Sequence, residues 1–329
     1  RALRGDIPRD QAGQLLRASG GGIGFVNGLN LGMDGTSTAS IARLLLGTPP
    51  DLVGATAALS SGINATVKNT SIVPYLVGVA TATSGGVGTA GTVPNTFVTY
   101  DPLTGLRPLN PTDEFTANAI VTGDNTRLTA TTVSATTTNI NSLLIEGNGV
   151  GLTINSGTTL TVDSGAILFS SGLEPRIDGP GILNFGTREG IITINSTGNT
   201  FITSRISGSG GVTYHGSGNL VLAGQQSTYS GDTVLRVANV IPQASSMGPA
   251  GAPVSGAFGT GRLILDGSAI RATTAGDITI GNEVVIRANT TIPDTVGARK
   301  LIFTGPVTLE GGDRTLTQNS SADTIFNGS

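Results

Sequence analysis

His215 and a few scattered acidic residues are the side chains of this sequence that could do acid–base chemistry. His215 is the only histidine, and it lies in the sequence Tyr214-His215-Gly216. A histidine beside paired aspartates would suit the cleavage of a polysaccharide, because one group can donate a proton while another accepts one. No two aspartates are adjacent anywhere in the chain. A solvated strand residue is therefore the simpler interpretation of His215.

Asp113 and Glu114 are the one pair of adjacent carboxylates that follows a turn signal, Pro111-Thr112. Neighbouring residues on a strand point to opposite faces, so these two carboxylates would not easily share a substrate. We interpret the pair as part of a surface turn or the start of a helix.

Two further patterns could bind ions. Asp163, Asp178, Asp266 and Glu310 are scattered, and the recurring G-G-x-G-x-D text of calcium-binding solenoids does not occur. Gly208-Ser209-Gly210-Gly211 lacks the lysine and the strand-to-helix context of a phosphate-binding loop, so it indicates a tight corner. We predict no catalytic residue, no metal site and no cofactor.

Two kinds of short motif, both of low specificity, are the remaining candidates for a binding or modification site. Arg4-Gly5-Asp6 matches an integrin-type tripeptide, and a chance match of three residues is common. Glycosylation-type Asn-x-Ser/Thr texts are expected in a chain so rich in Asn, Ser and Thr; they occur at Asn64, Asn69, Asn195, Asn289 and Asn319.

Composition excludes several classes of protein. The 329 residues include 50 Gly but no Cys and no Trp, 12% are charged, and the net charge is −3. Nucleic acid is a poor partner because there is no basic stripe, and we predict no membrane insertion because no apolar run approaches the ~18 residues of a spanning helix. Without Cys, disulfides and thiol catalysis are impossible.

We take the missing Cys as mild support for export, and the start at Arg1 without Met as the sign of a processed chain or a fragment.

Short apolar strands dominate residues 126–329. Apolar triplets recur there every 6 to 12 residues, separated by turn signals such as Asn148-Gly149; they include Leu143-Leu144-Ile145, Leu160-Thr161-Val162, Ile167-Leu168-Phe169, Leu220-Val221-Leu222 and Leu263-Ile264-Leu265. An antiparallel sandwich and a parallel β-helix both fit, but sandwich strands are longer. We therefore predict an all-β fold, a parallel β-helix over 126–329 of about ten coils with roughly 20 residues each.

Residues 1–125 have a different texture. We predict an irregular β-rich region with loop insertions, continuous with the solenoid and without an enzyme domain. Ser37–Leu46 has the composition of a short helix, Ser84–Gly91 reads as a flexible loop, and Thr96–Pro102 reads as a strand that ends in a turn.

One segment, residues 206–235, resembles a known family. It reads Ile206-Ser-Gly-Ser-Gly-Gly-Val-Thr-Tyr-His-Gly-Ser-Gly-Asn-Leu-Val-Leu-Ala-Gly224 and continues through Tyr229-Ser-Gly-Asp-Thr-Val234. This text resembles the autotransporter-associated β-strand repeat of giant bacterial surface proteins, I-x-G-S-G-G-L-T-K-x-G-x-G-T-L-x-L-x-G followed by N-x-Y-x-G-x-T-x-V. Tyr214-His215 departs from the usual Lys and small residue, and Ser227-Thr228 departs from the usual Asn-Thr.

The resemblance implies a right-handed parallel β-helix outside the cell, at the cell surface, with a structural or adhesive and non-catalytic role. It also implies a larger surface protein. A carbohydrate-binding module and a polysaccharide-degrading β-helix enzyme are the alternatives, and the absence of Trp with only 4 Tyr argues against both. Possible partners are surface glycans, further units of the same chain, or copies of it. Since Thr324-Ile325-Phe326 is not followed by a polar cap, we expect end-to-end, head-to-tail stacking into fibres or a lattice.

Overall fold

The chain forms two compact units, Arg1–Phe115 and Thr116–Ser329, each treated by itself below. The structure is a computed structural model, and it describes residues 17, 21–28, 30–32, 42–55, 67–80, 93–224, 226–274, 276–294, 297 and 299–328. Within those ranges the chain forms strands, turns and extended segments, and none of it is helical. The boundary expected from the sequence, residue 125, lies beyond the division between the two units.

The first unit contains a four-stranded sheet. Its strands are β1 (Gly24–Val26), β2 (Leu76–Gly78), β3 (Thr96–Asp101) and β4 (Gly105–Pro108). β1 and β2 are parallel, whereas β3 is antiparallel to both of its neighbours. The predicted strand that ends in a turn is therefore confirmed, because β3 turns directly into β4.

The helix expected over Ser37–Leu46 is wrong where the structure describes it. Residues 42–46 form no helix, and their backbone groups pair with other segments. Leu44 O accepts from Leu106 N (3.0 Å), and the Tyr100 hydroxyl binds both Leu46 N and Leu46 O (3.1 and 3.0 Å). The remainder of that segment, and the predicted loop Ser84–Gly91, lie outside the described residues.

The second unit is a run of short strands. They are β5 (Thr116–Ala117), β6 (Asn125–Leu128), β7 (Thr132–Ser134), β8 (Thr138–Ile140), β9 (Ser142–Ile145), β10 (Gly151–Ile154), β11 (Thr159–Val162), β12 (Ala166–Phe169), β13 (Arg176–Asp178), β14 (Ile182–Asn184), β15 (Gly190–Ile194), β16 (Asn199–Ile202) and β17 (Arg205–Ser207). The series continues with β18 (Val212–His215), β19 (Asn219–Leu222), β20 (Thr233–Arg236), β21 (Asn239–Pro242), β22 (Leu263–Leu265), β23 (Ala269–Ile270), β24 (Ile278–Ile280), β25 (Val284–Ile286), β26 (Thr290–Ile292), β27 (Leu301–Phe303), β28 (Val307–Leu309), β29 (Leu316–Gln318) and β30 (Thr324–Phe326).

These strands stack into three parallel faces. Face 1 is a ten-stranded sheet from β5 to β28, face 2 is a nine-stranded sheet from β7 to β29, and face 3 consists of two shorter sheets, β8 to β17 and β24 to β30. The paired strands within each face are parallel and come from successive turns of the chain. The predicted all-β, parallel β-solenoid is thus confirmed, with about eight turns. Its right-handedness stays a prediction.

The length of one turn varies along the solenoid. The register of face 1 pairs Leu143 with Ile167 and Ile167 with Ile192, so each of these turns is longer than the sequence suggested. The turn from Thr233 to its register partner Leu263 is longer still. The expectation of about ten turns was therefore too high, because most turns exceed the predicted length and one carries an insertion.

That insertion, residues 243–262, separates the two sheets of face 3. One antiparallel bridge joins two parts of the insertion, Met247 with Ser255, and a second pairs its Gly256 with Ser227 of the preceding turn. Its backbone also pairs with β24, since Ser246 N donates to Thr279 O (2.7 Å). The segment replaces a face 3 strand in this part of the solenoid.

The interior of the solenoid is filled by aligned apolar side chains. Leu143, Ile167, Ile192, Tyr214 and Leu235 occupy one register position on successive turns, and all are fully buried. Burying each large apolar side chain stabilises the fold by about 1.5–3 kcal/mol before entropy is counted. On the opposite side of face 1, Leu144 and Leu168 are also buried, so these strands do not alternate between apolar and polar residues.

Tight corners bring adjacent turns into backbone contact. Gly165 has φ +74°, and a Cβ at this position would lie 2.0 Å from Glu189 O on the next turn. Only glycine satisfies both the left-handed conformation and this close approach.

Candidate functional site

His215 lies on the outer side of face 1. Thr193 and Arg236 occupy the same register position one turn before and one turn after it. Burial lowers the pKa of His215 from its usual value, and the nearby Arg236 charge lowers it further. Arg236 is itself bound to Asp266 (2.5 Å). The residues in register with His215 are a hydroxyl and a paired cation, neither of which acts as an acid at neutral pH.

The scattered carboxylates lie on different turns and hold adjacent turns together. Asp266 binds Arg236, Glu310 binds Arg287 (3.0 Å), and Lys300 binds Asp323 (2.9 Å). The other two candidates bind across turns as well, Asp163 to the side-chain amide of Asn139 and Asp178 to the Thr203 hydroxyl (3.1 Å). Pairs with this degree of solvent exposure stabilise a fold only modestly, because water screens the charges.

The surface interpretation of Asp113-Glu114 is wrong for Glu114. Asp113 lies in a turn, but Glu114 is fully buried and its carboxylate accepts from both Arg107 Nη atoms (2.7 and 2.8 Å), Asn110 N (2.8 Å) and Thr70 Oγ1 (3.0 Å). A buried carboxylate is tolerated because it is paired and fully hydrogen-bonded. No local signal pointed to the partner, since Arg107 comes from β4.

The glycine-rich tetrapeptide Gly208–Gly211 forms a solenoid corner, as predicted. Ser209 N donates to Gly186 O (2.7 Å), and Gly208 O accepts from Ser230 N (3.2 Å). These backbone groups link adjacent turns and are not directed at a ligand. Arg4-Gly5-Asp6 and Asn64 lie outside the described residues, while Asn69, Asn195, Asn289 and Asn319 all lie between strands.

Two tyrosines form a polar patch inside the core that the sequence did not indicate. Tyr214 and Tyr229 are fully buried, and Tyr229 Oη lies 2.6 Å from Thr233 Oγ1, which donates to Phe258 O (2.9 Å). Burial raises the pKa of both phenols well above the usual value. They therefore remain neutral and serve packing.

In the part of the chain that the structure describes, no group of three or more His, Cys, Asp or Glu side chains could hold a metal ion. Nor do those residues include a helix long and apolar enough to cross a membrane.

An open groove lies at the corner between faces 1 and 2, on three successive turns. It has a volume of about 620 Å³ and is lined by Asn148, Gly149, Leu173, Glu174, Gly198 and Asn199. We refer to these six residues as the corner groove. Leu173 is half exposed, and the backbone of its turn is tied to the previous turn, since Leu173 N donates to Asn148 Oδ1 (2.9 Å) and Leu173 O accepts from Gly149 N (2.7 Å).

Polar side chains line the same groove. The carboxylate of Glu174 is mostly exposed, with Arg176 Nη2 at 3.4 Å. The Arg176 guanidinium in turn lies 5.3 Å from the centre of the Phe201 ring. Asn199 begins a register column that continues through Asn219 and Asn239 on the next two turns.

The two ends of the solenoid differ. Residues 118–124 cover the first turn: Gly123 N donates to Asn139 O (3.0 Å), Asn118 Oδ1 accepts from Thr129 N (2.8 Å), and Ile120 packs on the core. At the other end, β28, β29 and β30 are each the edge strand of their sheet. Apolar side chains are exposed there, namely Val307, Leu309, Leu316 and Phe326.

Comparison with known proteins finds no family model, no curated protein and no solved structure that matches the chain. The resemblance of residues 206–235 to the autotransporter-associated repeat thus stays a prediction.

The corner groove was missed by reasoning from the sequence, although some of its signals were visible. Asn148-Gly149 was recognised only as a turn. Asn199, Asn219 and Asn239 recur at equal intervals along the chain, and the interval matches one turn of a solenoid. Once a parallel solenoid is predicted, such a spacing indicates a row of amides on one side of the stack.

Proposed function

We propose that this chain is a non-catalytic structural or adhesive β-solenoid, part of a larger surface protein displayed outside a bacterial cell. The observation that carries the proposal is the continuous apolar interior, which runs through the stacked turns from Leu128 to Phe303. A stack of this kind is built by repetition, each turn supporting its neighbours, and it suits a scaffold that holds surfaces at a distance.

Residues 206–235, which resemble the autotransporter-associated repeat, support the proposal through their position in the core. Ile206, Val212, Leu220 and Tyr229 of that segment are all buried in the solenoid core. Its glycine-rich part forms the corner before β18. The residues that the repeat pattern specifies are thus those that a turn of this solenoid needs.

The use of the charged groups also supports a scaffold. Arg127–Glu146, Arg236–Asp266, Arg287–Glu310 and Lys300–Asp323 each join one turn to the next. Carboxylates committed to cations in this way are poorly placed for general acid–base work, which needs a group free to reach a substrate proton.

The proposal predicts that the protein binds or supports but does not cleave polymers. Incubation with pectin, alginate and xylan should release no reducing ends and no unsaturated sugars above a heat-denatured control. His215→Ala serves as the matched variant, because His215 is the only histidine and the first candidate for acid–base chemistry in the sequence. Turnover that is present in the wild type and lost in His215→Ala would overturn the proposal.

Exposed apolar groups on the last turn support a partner at that end. Unpaired strand edges and exposed core side chains are satisfied together when another β-coil stacks on them. For the purified chain the available coil is that of a second copy.

A further inference from the structure

We propose that the corner groove binds a short, neutral oligosaccharide. The inference rests on the proposed function and makes its adhesive role specific. The groove presents one exposed aliphatic side chain, Leu173, between the amides of Asn148 and Asn199 and the carboxylate of Glu174. A sugar is complementary to this surface, because its apolar C–H face is bordered by hydroxyl groups that donate and accept hydrogen bonds. The scarcity of aromatic residues argued against a sugar-binding role, but in this groove Leu173 supplies the apolar contact that an aromatic ring would otherwise make.

The hydrogen-bonding groups of the groove are available. Asn148 uses Oδ1 to accept from Leu173 N (2.9 Å), which leaves its two Nδ2 protons to a ligand. Among the residues that the structure describes, the side-chain amide of Asn199 has no hydrogen-bond partner. An amide can serve a hydroxyl both as donor and as acceptor. Each of the three turns therefore contributes at least one group, at a spacing of about 4.8 Å.

Other occupants fit the groove less well. An extended peptide would need free backbone groups, but at these corners Gly149 N is bonded to Leu173 O and Gly172 O to Thr197 N (2.7 and 3.1 Å). An anion would meet the Glu174 carboxylate. A cation would find that carboxylate already close to Arg176 (3.4 Å). The opposed charges of Glu174 and Arg176 leave the site close to neutral, which favours a neutral ligand.

Two backbone features shape the groove. Glu174 has φ +53°, a left-handed conformation that is unfavourable for any residue with a side chain; glycine would fit better if the carboxylate had no use. Gly198 has no side chain that would crowd Leu173 in the groove, since a Cβ there would lie 3.2 Å from Leu173 Cδ2. A carboxylate thus occurs where backbone conformation disfavours it, beside a glycine that leaves room for the Leu173 side chain.

The test uses the full chain and four neutral probes, the tetrasaccharides of glucose, xylose, mannose and N-acetylglucosamine. Saturation-transfer NMR followed by calorimetry should show saturable binding of at least one, with a dissociation constant of about 1 mM or tighter. Asn199→Ala and Glu174→Gly should each weaken that binding by about fivefold or more, the loss of one or two hydrogen bonds. Glu174→Gly should keep or raise thermal stability, because it relieves the left-handed strain.

Arg205→Gln, an exposed site on face 3, is the matched control and should bind as the wild type does. Failure of all four probes to saturate at 10 mM, roughly tenfold above the expected constant, would overturn the proposal, and so would unchanged affinity in both groove variants. Binding of acidic peptides or Ca²⁺ at this site in place of the sugars would also overturn it. Cleavage of a bound probe, with binding lost in the groove variants, would support the groove as the binding site. It would contradict the proposed non-catalytic function instead.

Discussion

Purified chains of this sequence should associate through the edge strands β28, β29 and β30, and Leu309→Asp combined with Phe326→Asp should leave them monomeric. Leu309 and Phe326 are 61% and 39% exposed although they occupy core positions of their turn. Phe326 stacks on Phe303 with ring centres 4.9 Å apart, which leaves its other ring face open. Burial of each such side chain is worth about 1.5–3 kcal/mol, and pairing of the strand edges adds to it.

The structure changes the geometry expected for this association. The sequence suggested head-to-tail growth into fibres, but residues 118–124 cover the first turn with bonded Asn and Thr side chains. The β28–β30 edges of two copies can instead meet about a two-fold axis, with the edge strands antiparallel, and such a contact closes. We therefore expect a dimer for isolated copies of this chain.

Sedimentation and light scattering over a concentration series test the association. The wild type should show a monomer–dimer equilibrium, and the double aspartate variant a monomer. Leu103→Asp is the control, because Leu103 is a 74% exposed leucine in the first unit and its replacement should leave the dimer intact. A wild type that stays monomeric at several hundred micromolar, or a double variant that behaves like it, would contradict the prediction.

Replacement of Gly165 by alanine should cost much more stability than replacement of Gly157. Both glycines have φ +74°, so alanine introduces the same left-handed strain of about 1–2 kcal/mol at either site. A Cβ at Gly157 meets nothing within 4 Å, whereas one at Gly165 would lie 2.0 Å from Glu189 O. The backbone of the next turn must move to admit it, and overpacking of this kind adds about 1–3 kcal/mol.

The readout is urea unfolding combined with hydrogen exchange. Since each turn contacts only its neighbours, Gly165→Ala should loosen the contact between β12 and β15 and expose the turns before it to faster exchange. Gly157→Ala should shift the unfolding midpoint slightly and leave the exchange pattern unchanged. Equal midpoints for the two variants would mean that the turns are not in the close contact described.

The strands were predictable from the sequence because their signal is local. Triplets such as Leu143–Ile145 and Leu220–Leu222 alternate with corner glycines, and a buried strand of three or four residues needs little more. The insertion at 243–262 was not predictable, because Met247, Val254 and the prolines around them carry no period that marks them as an excursion rather than a turn.

The site was harder to predict because it depends on contacts between turns. Glu174 and Asn148 belong to different turns and are well separated in the sequence. The residues around each of them do not indicate that the two side chains line one groove. The left-handed conformation of Glu174 before Pro175 has no sequence signature either. Glu114 shows the same limit of sequence analysis. The sequence around it indicates a surface turn, but its carboxylate is buried because β4 supplies Arg107 as its partner.

Engineered disulfides test most directly the central claim, that successive turns stack in parallel register. The chain has no Cys, so paired cysteines can be introduced without interference. Thr161 and Asn184 are register partners on face 3, as are Asn184 and Ser207. Adjacent strands bring paired Cα atoms to about 5 Å, within disulfide range, whereas Thr161 and Ser207 are two strand spacings, about 10 Å, apart. The account predicts rapid, near-complete oxidation for Thr161→Cys with Asn184→Cys and for Asn184→Cys with Ser207→Cys, and none within one molecule for Thr161→Cys with Ser207→Cys. Oxidation of the third pair, or failure of the first two, would contradict it.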